Sequence, residues 1–175
     1  MEQVILVDEK DNEIGTMEKM EAHQKGLLHR AFSVLVFNTK GEMLLQQRAI
    51  SKYHSGGLWT NTCCSHPQPG ETIEQAGKRK LRQEMGFSCD LSFSHKFVYK
   101  VQLDNDLIEY EWDYILIGYY DGVPSINANE AQAWKYASVK SIQQDAIKNP
   151  DQYTCWFKLI LKHPEINQLI AQSAY

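Results

Sequence analysis

Apolar and polar positions alternate with period two in several parts of the chain, the mark of strands that bury one face. Residues 4–8 and 14–17 are short strand candidates on either side of an Asp11-Asn12 turn signal, and residues 19–24 follow as a helical turn. The runs His29–Phe37 and Glu42–Arg48 flank Asn38-Thr39-Lys40-Gly41, which predicts a β-hairpin closed by a glycine-containing turn. Residues 50–57 are polar and turn-rich and predict an exposed loop, the kind of segment on which binding residues gather. From Thr72, placed as an N-cap, the spacing of Ile73, Ala76, Gly77, Leu81 and Met85 predicts one helix stopped by Gly86, with Arg79, Lys80, Arg82 and Glu84 on its more polar sides. Residues 91–103 and 107–120 form a second predicted hairpin around Asp104-Asn105-Asp106. In its return strand Ile108, Tyr110, Trp112 and Tyr114 alternate with Leu107, Glu109, Glu111 and Asp113, so Glu109 and Glu111 share a face. The tail reads as a strand over 134–137 and helices over 141–148, 154–162 and 164–171, bounded by Pro150 and Pro164. This order predicts an α+β fold, an αβα sandwich of mixed sheet with flanking helices.

Composition narrows the class. The 175 residues, 43% of them hydrophobic and without repeat, linker or low-complexity run, predict a single domain over 1–175. The N-terminal apolar run is short and broken by acid, and no stretch of about 18 apolar residues follows, so neither an export signal nor a membrane span is expected and the chain is placed in the cytoplasm. Cys63, Cys64, Cys89 and Cys155 are accordingly expected as free thiols, with Cys89 and Cys155 buried and structural. A net charge of -4 with scattered basic residues argues against nucleic acid as a partner. An anionic ligand would need a local basic pocket.

Chemistry concentrates between Trp59 and Gly86. Two thiols and an imidazole, Cys63-Cys64-Ser65-His66, sit beside Pro67, Pro69 and Gly70, which hold side chains at a loop or strand end. The loop and helix after them, with Glu71, Arg79, Glu84 and Gly86 in place, resemble a Nudix box, and the preceding Trp-Thr-Asn-x-x-Cys-x-His-Pro is similar to the type 1 isopentenyl-diphosphate isomerase branch of that superfamily. By order of motifs the resemblance runs over about residues 5–164 and is strongest over residues 28–86. It implies the same layered fold. It departs from the hydrolase pattern where an Arg-Glu-x-x-Glu-Glu cluster would gather metal ions: here the positions read Arg79-Lys80-Leu81-Arg82-Gln83-Glu84, one carboxylate in place of three. One carboxylate can anchor Mg2+ through a substrate's phosphates, whereas multi-metal hydrolysis needs a denser set.

The resemblance implies roles residue by residue. His23, His29, His66, Glu109 and Glu111 are the implied ligands of one divalent metal; imidazole and carboxylate suit Mn2+, Zn2+ or Fe2+, and Mg2+ is a further candidate. Cys64 is the implied reactive thiol. Cys63, its neighbour on a strand, would point the opposite way. Glu111 would also carry a proton opposite Cys64, with Tyr99 hydrogen-bonded to one of the two, and Trp156 would face a carbocation without acting as a nucleophile. Lys19, Arg48, Lys52 and Lys80 match basic positions for a diphosphate, with Mg2+ on Glu84. The implied activity interconverts isopentenyl and dimethylallyl diphosphate in a monomer or weak homodimer. A Nudix hydrolase acting on a nucleotide, or a metal-stabilised module that binds a prenyl diphosphate or a protein without turnover, are the competing classes.

Overall fold

The computed structural model describes residues 2–172, apart from the side chains of residues 169–172. Among these residues the strands are β1 (Gln3–Val7), β2 (Glu13–Glu18), β3 (His29–Phe37), β4 (Glu42–Arg48), β5 (Trp59–Thr60), β6 (Cys63–Ser65), β7 (Leu91–Gln102), β8 (Ile108–Tyr119) and β9 (Ala131–Ser138). They make one mixed sheet in the order β2-β1-β3-β4-β5, with β6 and β8 also on β3, β7 on β8 and β9 on β4. The helices are α1 (Lys19–Lys25), α2 (Ile73–Lys80), α3 (Val139–Lys148), α4 (Cys155–Lys162) and α5 (Pro164–Gln172). Among the described residues no helix is long and apolar enough to cross a membrane.

The period-two pattern of β3 decides the layers. Phe32, Val34 and Val36 point to one face and join Leu44, Cys63 and Leu116 beneath α2, whose Ala76 closes that core with Leu81 and Met85. Leu35 and Phe37 point to the other and join Met43, Leu45, Ile115 and Ile117 beneath the last three helices, where Ile142, Phe157 and Ile160 pack. Helices thus cover both faces, the αβα sandwich the sequence predicts. The 91–120 hairpin forms as antiparallel β7 and β8. β8 then runs parallel to β3 along its whole length, from His29 opposite Glu111 to Phe37 opposite Tyr119.

The β3–β4 hairpin forms only at its tip, where Val36 pairs with Leu44 and Phe37 with Met43. Beyond it the strands diverge, β3 pairing with β6 and β4 with β5 and β9. The wedge between them is Thr60-Asn61-Thr62, each at most 1% exposed. Thr62 Oγ1 accepts the Val36 amide at 2.9 Å and donates to the Leu44 carbonyl at 2.6 Å, so one hydroxyl occupies the place of a ladder bond between β3 and β4. Asn61 Nδ2 donates to the carbonyls of Val34 (3.3 Å) and Cys63 (2.7 Å). Buried main-chain groups need such partners wherever a ladder is interrupted.

Three expectations change. The helix after Thr72 carries the predicted cap as a reciprocal Thr72–Gln75 capping box, but its last turn, Leu81–Met85, is a π-helix. The wider turn swings Glu84 inward to 6% exposure, away from the polar side the regular spacing assigns it. The 50–57 loop is not wholly exposed: Ile50 stands in solvent while His54 is buried, because Arg48 Nη2 donates to the His54 carbonyl and draws the loop onto the sheet. All four cysteines are free thiols, but Cys89 and Cys155 are half-buried rather than buried.

Thr62→Val is the isosteric test of the wedge. It strips two buried main-chain groups of their partner, and each orphan costs about 1–3 kcal/mol. A fall in stability of about 2–4 kcal/mol in chemical denaturation is the expected outcome, with the secondary-structure content of the folded state unchanged.

Candidate active site

Strand register assembles the site before any side chain is considered. Paired residues share a face, so Tyr99 on β7, Glu111 on β8 and His29 on β3 lie in one transverse row on the face opposite α2. Ser33 pairs with Cys64 on the same face, and His66, two residues on from Cys64, points the same way. Cys63 points into the core under α2 and is fully buried, as alternation requires. The polar residues of β8 are its inner ones: Glu109, Glu111 and Asp113 are 1–6% exposed, while Ile108, Tyr110, Trp112 and Tyr114 sit on the outer face.

His23, His29, His66 and Glu111 offer one ligand atom each within 4.8 Å of one another, all buried. The Nδ1 atoms of His23 and His29 lie 2.7 Å from the carbonyls of Lys19 and Leu27, so each donates there and turns its Nε2 inward. Glu111 Oε1 lies 3.0 Å from His66 Nε2, 3.3 Å from His29 Nε2 and 3.7 Å from His23 Nε2, and the His29 and His66 Nε2 atoms face each other at 3.2 Å. Atoms bound cis around a metal at about 2.1 Å stand about 3 Å apart, so the set fits a divalent cation. Glu109, the fifth implied ligand, stands outside this group of four. Its carboxylate accepts from the Tyr99 hydroxyl at 3.0 Å, and the same hydroxyl lies 2.7 Å from Glu111 Oε2.

The electrostatics divide the two acids. Burial pushes both up; around Glu111 the three histidine rings facing its carboxylate, His66 by a hydrogen bond, outweigh it and hold the carboxyl well below the usual range, whereas Glu109, beside an ionised Glu111, is driven well above it. Burial, opposed by Glu111, lowers His66 to about 4, so its ring is neutral and able to ligate at pH 7. The Cys64 thiol is also raised well above its ordinary value, first by burial and then by Glu84, Glu109 and Asp113, and it carries its proton in the resting site. The loop bearing His66 is fixed from α2: Arg79 grips Glu71 through two bonds of 2.7 and 2.8 Å and donates to the His66 carbonyl at 3.3 Å.

One cavity gathers nearly everything. Cys64, His66, Tyr99, Glu109, Glu111 and Trp156 line it together with His23, Lys19, Arg48, Lys52, Lys80 and Glu84; His29 alone of the implied residues lies behind its wall. Trp156 is both core and lining, 2% exposed, with the Arg48 guanidinium 5.2 Å over its ring. The basic residues do not stand free. Lys19 pairs with Glu2 at 2.6 Å, Lys52 with Glu130, and Lys80 with Glu84 at 3.3 Å, while Gln46 Nε2 holds the other oxygen of Glu84 at 2.9 Å. Arg48 has no acid partner among the described residues, and its Nε is a buried donor without an acceptor. Sequence reasoning missed Ser33, Tyr53 and His54, which line the same cavity. Their signal was present only as proximity to other site residues, because burial of His54 depends on a tertiary contact.

Residues 27–157 match the NUDIX domain family. The chain is 46% identical over 168 residues to an isopentenyl-diphosphate Delta-isomerase of Serratia proteamaculans, covering 96% of this chain and 94% of that one. It is 52% identical over 157 residues to one of Pectobacterium atrosepticum (90% and 88%) and 48% identical over 177 residues to one of Photobacterium profundum (98% of each). Among solved structures it resembles a Deinococcus radiodurans protein with a TM-score of 0.76 at 15% identity (92% and 98% covered) and the MutT protein of Methanosarcina mazei with 0.65 at 14% (85% and 96%), likenesses of fold alone. A whole-length match at about half identity, within a chain whose residues 27–157 match the NUDIX domain, leaves one assignment: the chain belongs to the isopentenyl-diphosphate Delta-isomerases of the NUDIX family.

Proposed function

We propose that this chain interconverts isopentenyl and dimethylallyl diphosphate by adding a proton at C4, which leaves a tertiary cation at C3, and removing a proton from C2. The observation that carries this reading is the shared cavity: a thiol and a carboxylate–tyrosine pair line it together with four basic side chains. Cys64 and Glu111 are the two proton carriers, on the two sides of a flat allylic unit, and Tyr99 holds the Glu111 carboxylate by its 2.7 Å bond. Trp156 offers an indole face to the cation, an attraction of about 2 kcal/mol in a dry site, without offering a nucleophile. Arg48 receives the diphosphate on its unpartnered Nε, and Lys19, Lys52 and Lys80 exchange their carboxylate partners for phosphate oxygens.

His23, His29, His66 and Glu111, with Glu109 beside them, would hold a divalent ion, Mn2+, Zn2+ or Mg2+; Glu84 would hold Mg2+ jointly with the diphosphate. An ion on the histidine cluster would stabilise negative charge on Glu111 and tie together α1, β3, β8 and the loop after β6; an ion on Glu84 would offset diphosphate charge. Hydrolysis is the weaker reading because the helix offers one carboxylate: Gln83 is exposed, and Lys80 occupies another box position 3.3 Å from Glu84. Free thiols and the small-molecule substrate favour a reducing cytoplasm as the site of action, with neither nucleic acid nor membrane as partner.

Incubation with isopentenyl diphosphate in deuterated water, followed by proton NMR, is the deciding experiment. Deuterated dimethylallyl diphosphate is expected; released phosphate would return the chain to hydrolysis, and unchanged substrate to a binding role. Cys64→Ala should lower kcat by about 10²–10⁴-fold, the worth of a proton carrier, while Cys63→Ala, on the other face, keeps turnover and loses only stability.

Two substitutions separate the ion sites. His66→Ala should empty the buried site, read as lost metal in elemental analysis and a lower Tm that added metal no longer raises. Glu84→Gln should keep that metal and raise the Mg2+ concentration needed for half-maximal turnover. Equal metal content in wild type and His66→Ala would refute the buried site.

A further inference from the structure

His54 is a cavity-lining imidazole that the isomerase reading leaves without a task. It is 6% exposed on a loop whose Ile50 is 75% exposed. Its ring meets the Trp156 indole edge to face, with centroids 5.7 Å apart at 83°, and Tyr53 in the same manner at 4.5 Å and 85°. Nδ1 lies 3.3 Å from Ser55 Oγ, and Nε2 faces Glu109 Oε1 at 3.8 Å, beyond a direct hydrogen bond. The His54 carbonyl accepts from Arg48 Nη2 at 3.2 Å, and that same guanidinium lies over the Trp156 ring. Trp156 is therefore bracketed by Arg48 over its ring and His54 at a right angle.

The loop has little slack with which to lose this arrangement. A Cβ at Gly56 would stand 2.6 Å from the Ile50 carbonyl oxygen, so only glycine fits the close approach that folds the loop back on itself. Gln47 Nε2 donates to the Gly57 carbonyl at 2.9 Å, and Asn105 Nδ2 to the Tyr53 carbonyl at 3.0 Å. Lys52, two residues before His54, lines the cavity on the same loop. One short segment thus carries a base for the diphosphate and the ring that braces the indole.

We propose that His54 is a positioning residue that fixes the Trp156 indole at the reacting end of the cavity and couples it, through Arg48 and Lys52, to the diphosphate end. A diphosphate gripping Arg48 and Lys52 holds the loop, the loop holds His54, and His54 holds the plane of the indole. Binding energy from the non-reacting half of the substrate is thereby spent on geometry at the carbon that becomes cationic. The proposal rests on the isomerase reading.

The test compares His54→Ala, His54→Leu and His54→Phe in the metal-loaded full chain. Turnover of isopentenyl diphosphate is measured beside calorimetric affinities for inorganic pyrophosphate and for a diphosphate bearing dimethylammonium in place of the reacting carbon. His54→Ala and His54→Leu should lower kcat at least about tenfold and weaken the ammonium analogue to a similar degree, with pyrophosphate affinity held within about twofold. His54→Phe, which keeps a ring at right angles to the indole, should recover most of both losses, a rescue that mere space-filling by leucine would not give. Wild-type kcat in His54→Leu, or equal losses for pyrophosphate and the ammonium analogue, overturns the proposal while the isomerase reading stands. A wild-type chain that gives no dimethylallyl product overturns both.

Discussion

A single buried hydroxyl separates the two strands that would otherwise close the sheet. Thr62 takes the Val36 amide and the Leu44 carbonyl, so β3 and β4 can diverge just beyond their turn without leaving main-chain groups unpaired. Because they diverge, the sheet opens at the level of Cys64 and Arg48, and side chains from both helical layers meet in the opening. Lys80 and Glu84 reach it from the α2 side, Trp156 from the α4 side. In a continuously paired sheet those two groups would stand on opposite faces, about 10 Å or more apart.

The same split explains how an acidic chain accommodates a highly charged ligand. Glu109 and Glu111 on β8 are tolerable because histidines and Tyr99 bind them, and the half-buried Lys19, Lys52 and Lys80 because Glu2, Glu130 and Glu84 do. Each pair costs desolvation that its partner only partly offsets, so the resting site is a set of charges held in mutual compromise. A phosphate group bound as proposed beside Arg48 would meet bases already partly shielded from water.

Layer assignment was legible because it follows from short-range pattern, whereas the site residues were gathered by the family resemblance, with alternation deciding only which side chains share a face. Alternation in β3 fixes which residues meet which helix layer, and alternation across Cys63-Cys64 fixes which thiol enters the cavity. Glu109 and Glu111 were legible as sharing a face, but that the acidic face of β8 is the inner one follows from the histidines on other elements, not from β8 itself. The inward turn of Glu84 was hidden because a π turn adds one residue to the helical period, and nothing in Leu81-Arg82-Gln83-Glu84-Met85 marks the insertion. Burial of His54 was hidden for another reason: a polar, glycine-rich loop reads as exposed unless the arginine that draws it inward is known to stand beneath it. The β3–β4 hairpin was read as longer than it is, since local sequence favours the turn and says nothing of the wedge.

Divergence from the hydrolases of the same fold turns on what Lys80 does to the helix. A carboxylate in its place, with another at Gln83, would give the helix three acids able to share metal ions around an attacked phosphorus. Lys80 instead removes one negative charge and adds a positive one within 3.3 Å of Glu84, leaving a site that favours phosphate oxygens but cannot assemble several ions to activate water. The diphosphate then becomes a handle rather than the reacting group. In the proposed reaction the chemistry falls instead to the thiol, the carboxylate and the indole that line the same cavity. On that reading the diphosphate is held and the hydrocarbon end of the substrate reacts.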